Sequence, residues 1–140
     1  MITLSVLVPC FNEQQTIVQL LGRVRAQRIE GVEIEVVVVD DGSTDSTRGL
    51  LAEHPELYDK LVLCEVNGGK GAAVRRGLSE CSGEYILFQD ADLEYDPKDY
   101  KLLLVPVLEH DADIVFGSRM VAPSCVRVAY FWHKVGNRLL

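Results

Sequence analysis

The stretch Val36-Val37-Val38-Val39-Asp40-Asp41-Gly42-Ser43 decides how this chain folds. Four consecutive β-branched apolar residues, reached from Glu33, spell a strand without polar alternation. Such a strand is buried on both faces, as in a parallel sheet covered by helices. The polar residues after it mark the strand's C-terminal end, and ligands of open parallel sheets sit beyond those ends. Asp40 and Asp41 are thereby placed where carboxylates can accept hydrogen bonds from a ligand. Asp, Gly and Ser equally serve a turn, with Ser43 or Thr44 as the cap of a short helix running toward Glu53.

Outward from this stretch, strands and helices alternate. Residues 2–8 read as a strand stopped by Pro9, and Ile17, Leu20, Leu21 and Val24 follow helical spacing. A third strand is expected at 61–65, a helix at about 70–81 and a fourth strand at 84–88. Tyr100, Leu103, Leu104, Val107 and Leu108 define a further helix, which Pro106 should kink. A fifth strand at 113–116 and a final helix from about Val126 close the series. The order implies an α/β fold with a mostly parallel sheet flanked by helices. The polar segments after strands one, two and four should then open onto one edge.

Composition bounds the function. The 140 residues are enough for one domain, and 48% hydrophobic with 25% charged residues is a globular rather than a disordered composition. A net charge of −7 argues against binding nucleic acid through bulk positive charge. The sign is uneven. From Ile114 onward there is no acidic residue, but there are Arg119, Arg127, Lys134 and Arg138, which suits an anionic partner. Cys10, Cys64, Cys81 and Cys125 form no C-x-x-C pair, so neither a zinc site nor a redox motif is spelled, and reduced thiols are expected. No signal peptide is evident, and no apolar run reaches the roughly 18 residues that a membrane span requires.

Three motifs carry chemistry. In Asp90-Ala91-Asp92, two carboxylates one residue apart at a strand end repel each other unless a cation or proton lies between them. Oxygen ligands favour Mg²⁺ or Mn²⁺, with Glu94 in reach as an additional ligand. A solvated acidic turn is the plainer reading of the same residues. Asn67-Gly68-Gly69-Lys70-Gly71 opens a helix, where backbone N–H groups and Lys70 can meet an anion. It is not a Walker A loop, because Cys64 and Gly71 stand where Gly and Ser or Thr are needed, and Val74 excludes G-x-G-x-x-G. Gly117-Ser118-Arg119 puts an arginine at a strand end, suited to a phosphate or to a nearby Asp. In the final segment, 126–140, Val128, Phe131, Trp132, Val135 and Leu139 fall on one helical stripe beside Arg127, Lys134 and Arg138. A basic amphipathic helix of this kind fits an anionic membrane surface or an ordinary core.

Taken together and in this order, the motifs resemble family 2 glycosyltransferases of the GT-A fold. The matching stretches are Val8-Pro9-Cys10-Phe11-Asn12-Glu13, Val38 to Asp45, Asn67 to Gly71, and Asp90-Ala91-Asp92. Gln89 to Pro97 and Phe116-Gly117-Ser118-Arg119 look most like the dolichyl-phosphate mannose synthase-like group. Members of that group move a hexose from a nucleotide sugar to a polyprenyl phosphate with inversion. The resemblance implies GDP-mannose or UDP-glucose as donor, a dolichyl or undecaprenyl phosphate as acceptor, and Mg²⁺ or Mn²⁺ as cofactor. Pro9, Phe11 and Glu13 would line the base and ribose pocket. Asp40 and Asp41 would contact base or ribose, and Lys70 would lie beside the nucleotide. Asp90 and Asp92 would form the D-x-D, with Asp92 a direct metal ligand and Glu94 a third. Arg119 would meet a donor or acceptor phosphate. The implied location is the cytoplasmic membrane face, held peripherally.

The family usually runs well past this length. The sequence stops at Asn137-Arg138-Leu139-Leu140 inside an expected helix, so the chain is expected to be the nucleotide-sugar-binding, N-terminal part of a longer protein. A family 2 enzyme with a saccharide acceptor and a non-catalytic nucleotide-sugar-binding fragment are the alternative readings. A receiver-type signalling domain fits less well, because its acidic pair follows the first strand, whereas here a full strand–helix unit comes before it. A nucleotidyltransferase would need a Gly- and Arg-rich loop where Pro9 to Glu13 stand.

Overall fold

The computed structural model describes residues 1–117 and the backbone of 131–133. Five strands form one sheet in the order β3-β2-β1-β4-β5. They are β1 (Ile2–Cys10), β2 (Val32–Asp40), β3 (Lys60–Leu63), β4 (Tyr85–Phe88) and β5 (Phe131–His133). β1 pairs in parallel with β2 and β4, and β2 with β3; β4 and β5 are antiparallel. The helices are α1 (Ile17–Arg25), α2 (Thr47–Glu53), α3 (Lys70–Glu80) and α4 (Tyr100–His110).

The valine run behaves as its sequence requires. Val36, Val37, Val38 and Val39 are all fully buried. Val36 and Val38 join Leu4, Val6 and Val8 in the layer under α1, α2 and α4, whereas Val37 and Val39 join Leu7 and Ile86 under α3. In α1, Ile17, Leu20, Leu21 and Val24 form the buried stripe that their spacing predicts. On the other face α3 approaches the sheet closely. A Cβ on Gly77 would run into Leu7 Cδ1 and lie 2.8 Å from Val39 Cγ2.

The register fixes the site edge. Cys10 stands opposite Asp40 and Asp40 opposite Leu63, so β1, β2 and β3 end at one level, whereas β4 ends at Phe88 opposite Leu7, three residues short of the end of β1. The chain leaves β1 toward β2 on one side and returns to β4 on the other. The crevice between the ends of β1 and β4 is therefore the topological switch point.

Four expectations change. The first strand is not stopped by Pro9 but runs through it to Cys10, paired with β2. The third strand begins at Lys60 and ends at Leu63, slightly earlier than its apolar pattern suggests. Residues 113–116 do not form the fifth strand, and only Phe116 makes an isolated bridge. The fifth strand is Phe131–His133 instead, inside the segment expected to be helical. Phe131 and Trp132 are strong strand formers, and pairing with the edge of β4 outweighs their helical spacing. The rest of 126–140 lies outside the described residues, as does Arg119. Helix α4 continues through Pro106 to His110.

Candidate functional site

The β1 and β2 loops are joined by hydrogen bonds before any ligand is considered. Asn12 adopts a left-handed backbone (φ 51°), which asparagine tolerates better than most residues. Its Oδ1 accepts the N–H groups of Thr44 (2.8 Å) and Asp45 (3.3 Å), and its own N–H donates to Ser43 Oγ. The Glu13 N–H donates to Thr47 Oγ1, and the Ser46 N–H to Gln14 Oε1. These bonds replace the expected cap: Ser43 and Thr44 turn toward Asn12, and α2 begins only at Thr47. Gly42, at φ 76°, lets the next loop approach, because a Cβ there would be 2.6 Å from Asn67 N.

The two aspartates after β2 have different fates. Asp40 is fully buried, its Oδ2 bound by Arg48 Nε and by the Ser43 N–H. Its other oxygen, Oδ1, is buried with no hydrogen-bond partner among the described residues, and Asp40 does not line the pocket itself. Asp41 lines the pocket, but its oxygens accept the N–H groups of Gly68 (3.0 Å) and Gly69 (2.8 Å). The glycine-loop amides expected to meet an anion are thus already held by a carboxylate.

Beyond β4 the acidic loop is framed from below. Buried Gln89 receives the Tyr100 hydroxyl at Oε1 (2.7 Å) and donates through Nε2 to the carbonyls of Asp90 and Tyr95. Burial, with Asp96 nearby, pushes the Tyr100 phenol well above its usual range, so it stays a neutral donor. The Thr16 hydroxyl lies 2.9 Å from Glu13 Oε2 and 3.0 Å from the Ala91 carbonyl, so its one proton is shared between the β1 and β4 loops. Burial and then the Asp40 charge push the Cys10 thiol far up, which removes it as a nucleophile.

These loops enclose a pocket of about 460 Å³. Pro9, Phe11, Glu13, Asp41, Lys70, Asp90 and Asp92, seven of the residues singled out from sequence, line it together. Phe11 is 44% exposed, giving an aromatic face at the surface. Lys70 Nζ forms a close ion pair with Asp90 Oδ1. Asp92 accepts the Glu94 N–H at Oδ1, and among the described residues no hydrogen bond reaches its Oδ2. Glu94 itself is exposed and does not line the pocket. The turn after Asp92 carries it away, and among the described residues no three metal-ligating side chains gather. A carboxylate pair without a third protein ligand suits Mg²⁺ or Mn²⁺, which keep water and share phosphate oxygens. A second pocket of about 400 Å³, between the end of α1 and the start of β2, is at the opposite edge and has no carboxylate pair.

Several site residues were not assigned from sequence. Thr16, Thr47, Arg48 and Tyr100 act through hydrogen bonds to partners distant in sequence or across a loop, and no local pattern marks them. Asn12 carries one usable signal, an asparagine in a turn directly after a strand.

Comparison with known proteins agrees with this geometry. The family model described as Glycosyl transferase family 2 matches residues 5–135. A dolichol-phosphate mannosyltransferase of Pyrococcus furiosus is 33% identical over 132 residues, covering 94% of this chain and 37% of the relative. The crystal structure of S. aureus TarS 1-349 in complex with UDP matches with TM-score 0.69 and 32% identity, over 80% of this chain and 34% of that one. The mannosyltransferase PcManGT from Pyrobaculum calidifontis, in complex with GDP-Man and Mn²⁺, matches with TM-score 0.76 and 25% identity, over 97% of this chain and 46% of that one. The chain thus spans less than half the length of each. A pocket at the β1/β4 switch point, a paired-carboxylate loop after β4 and a family match over nearly the whole sequence agree: the chain belongs to glycosyl transferase family 2 and has the GT-A fold.

Proposed function

We propose that this chain is the donor-binding part of an enzyme that transfers a hexose, with inversion, from a nucleotide sugar to a polyprenyl phosphate at a membrane surface. The observation that carries the reading is the meeting of Phe11, Lys70, Asp90 and Asp92 in one pocket at the sheet's switch point. The relative named for dolichol phosphate supports the acceptor, and the neighbour bound to GDP-Man and Mn²⁺ supports the donor class and the metal. Arg119 and the basic residues beyond it are proposed to face the acceptor phosphate and the membrane; among the described residues no helix is long and apolar enough to cross one.

In this reading Phe11 and Pro9 hold the base, and Glu13, fixed by Thr16, meets the ribose. Asp90 and Asp92 hold a divalent cation, with Lys70 beside the diphosphate. When bound, that cation stabilises the charge that develops on the departing diphosphate. The Gln89–Tyr100 frame keeps the carboxylate loop in place as this charge grows, which limits reorganisation at the reacting centre. A phosphate acceptor, with a second pKa of about 6, is already anionic at neutral pH and needs no protein base.

Titration of the chain with GDP and with UDP, with and without Mn²⁺, tests the reading. Metal-dependent binding of one nucleotide, abolished in Asp92→Ala, is the expected result. A folded chain that binds neither nucleotide overturns it. Transfer to a polyprenyl phosphate by the longer protein then tests the acceptor.

A further inference from the structure

We propose that Lys70 is a positioning residue that couples the metal to the donor: its ammonium holds Asp90 in the free protein and passes to the diphosphate when a divalent cation takes Asp90. This rests on the reading of Asp90 and Asp92 as the metal-facing pair.

Two observations lead to it. The first is charge. The pocket is lined by Glu13, Asp41, Asp90 and Asp92, and Lys70 is the one basic side chain among the described residues that line it. Gly68 and Gly69, the amides nearest to Lys70 in sequence, already donate to Asp41. Lys70 is therefore the one cationic side chain that the described lining offers a phosphate, yet its ammonium is bound to Asp90 Oδ1. It cannot pair fully with both.

The second is exposure. The Lys70 side chain is 65% exposed and that of Asp90 31%. An ion pair this open contributes little and separates readily. Lys70 opens α3 directly after Gly69, whose φ of 86° sets the turn, so its backbone is fixed while its long side chain is free to swing.

The coupling follows from these placements. A divalent cation arriving alone displaces an ammonium and is then repelled by it. A diphosphate arriving alone must draw the ammonium from Asp90 and leave that carboxylate unpaired. Arriving together, each relieves the other: the cation satisfies Asp90 and the diphosphate receives Lys70. Metal and nucleotide therefore strengthen each other's binding, and linkage makes the factor the same in both directions.

Manganese binding to the chain, read from the electron paramagnetic resonance of free Mn²⁺, tests this without reference to turnover. It is measured for the unaltered chain, Lys70→Met and Lys70→Arg, alone and with UDP or GDP, after circular dichroism confirms folding. Lys70→Met is expected to bind Mn²⁺ alone about fivefold more tightly, and the nucleotide's strengthening of Mn²⁺ binding is expected to shrink by a similar factor. Lys70→Arg is expected to restore the original pattern. Unchanged or weaker binding of Mn²⁺ alone by Lys70→Met overturns the coupling while leaving the metal site intact. Failure of every folded form to bind Mn²⁺ with either nucleotide overturns the metal-site reading itself, and the coupling with it.

Discussion

The Tyr100 hydroxyl donates to Gln89 Oε1 at 2.7 Å, with both side chains buried. The bond joins the start of α4 to the residue just before the acidic loop. Tyr100→Phe removes the donor and leaves a buried amide oxygen without its partner. The expected cost is about 1–3 kcal/mol, visible as a lower urea midpoint with an unchanged slope. Weaker Mn²⁺-dependent nucleotide binding should accompany it, because the loop loses its frame. Equal stability in the variant would show that the bond does not hold the loop.

Asn12 combines backbone shape with two side-chain bonds. Asn12→Ala loses the bonds and keeps an L-residue in the left-handed region; Asn12→Gly loses only the bonds. Both variants should be less stable, with Asn12→Ala worse by roughly 1 kcal/mol. Thermal melts of the two variants side by side measure the difference, and the reverse order would refute this account of the loop.

Gly77 lies where α3 meets Leu7 and Val39. Alanine there would gain up to about 1 kcal/mol of helix propensity. The added methyl meets packed side chains, however, and such overpacking costs about 1–3 kcal/mol. Net destabilisation of Gly77→Ala in denaturant is expected. A stabilised variant would mean that α3 can move off the sheet.

Glu35 makes stability depend on acid. Burial alone would raise its carboxyl, but hydrogen bonds from Lys60, Ser5 and Ser82 outweigh this and hold it at about 2, against a usual 4.5. A carboxyl depressed in the folded state adds stability above pH 4.5, and that stability is lost as pH falls toward 2. With allowance for the part-exposed Lys60 partner, its contribution is on the order of 2 kcal/mol. Glu35→Gln should flatten the fall in stability between pH 5 and 2. Denaturant curves collected across that range give the slope directly.

How far the sequence reaches is clear from particular residues. The valine run announces a two-faced parallel strand because burial on both faces demands continuous apolar residues, and the alternating elements then define the edge where Phe11, Asp41 and Asp92 meet. Asp40 was not readable in the same way. Its chemistry equals that of Asp41, and only the position of Arg48 in α2 reveals that it is held inside. Glu94 follows the same logic: spacing puts it near Asp92, but the turn between them directs it outward. Phe131–His133 misled because helical periodicity and strand propensity coexist there, and pairing with β4 settles those three residues.

Asp41 occupies the amides of Gly68 and Gly69, and this has a consequence for how the pocket responds to its medium. Loops that grip phosphate with backbone amides rely on fixed dipoles at short range, which dissolved salt disturbs little. In the proposed site a phosphate would instead meet the solvent-exposed ammonium of Lys70 and a divalent cation. Charges of that kind are screened within about 8 Å at physiological ionic strength. The chain's hold on a nucleotide should therefore weaken steadily with added potassium chloride, making the ionic composition of the solution itself a control on occupancy.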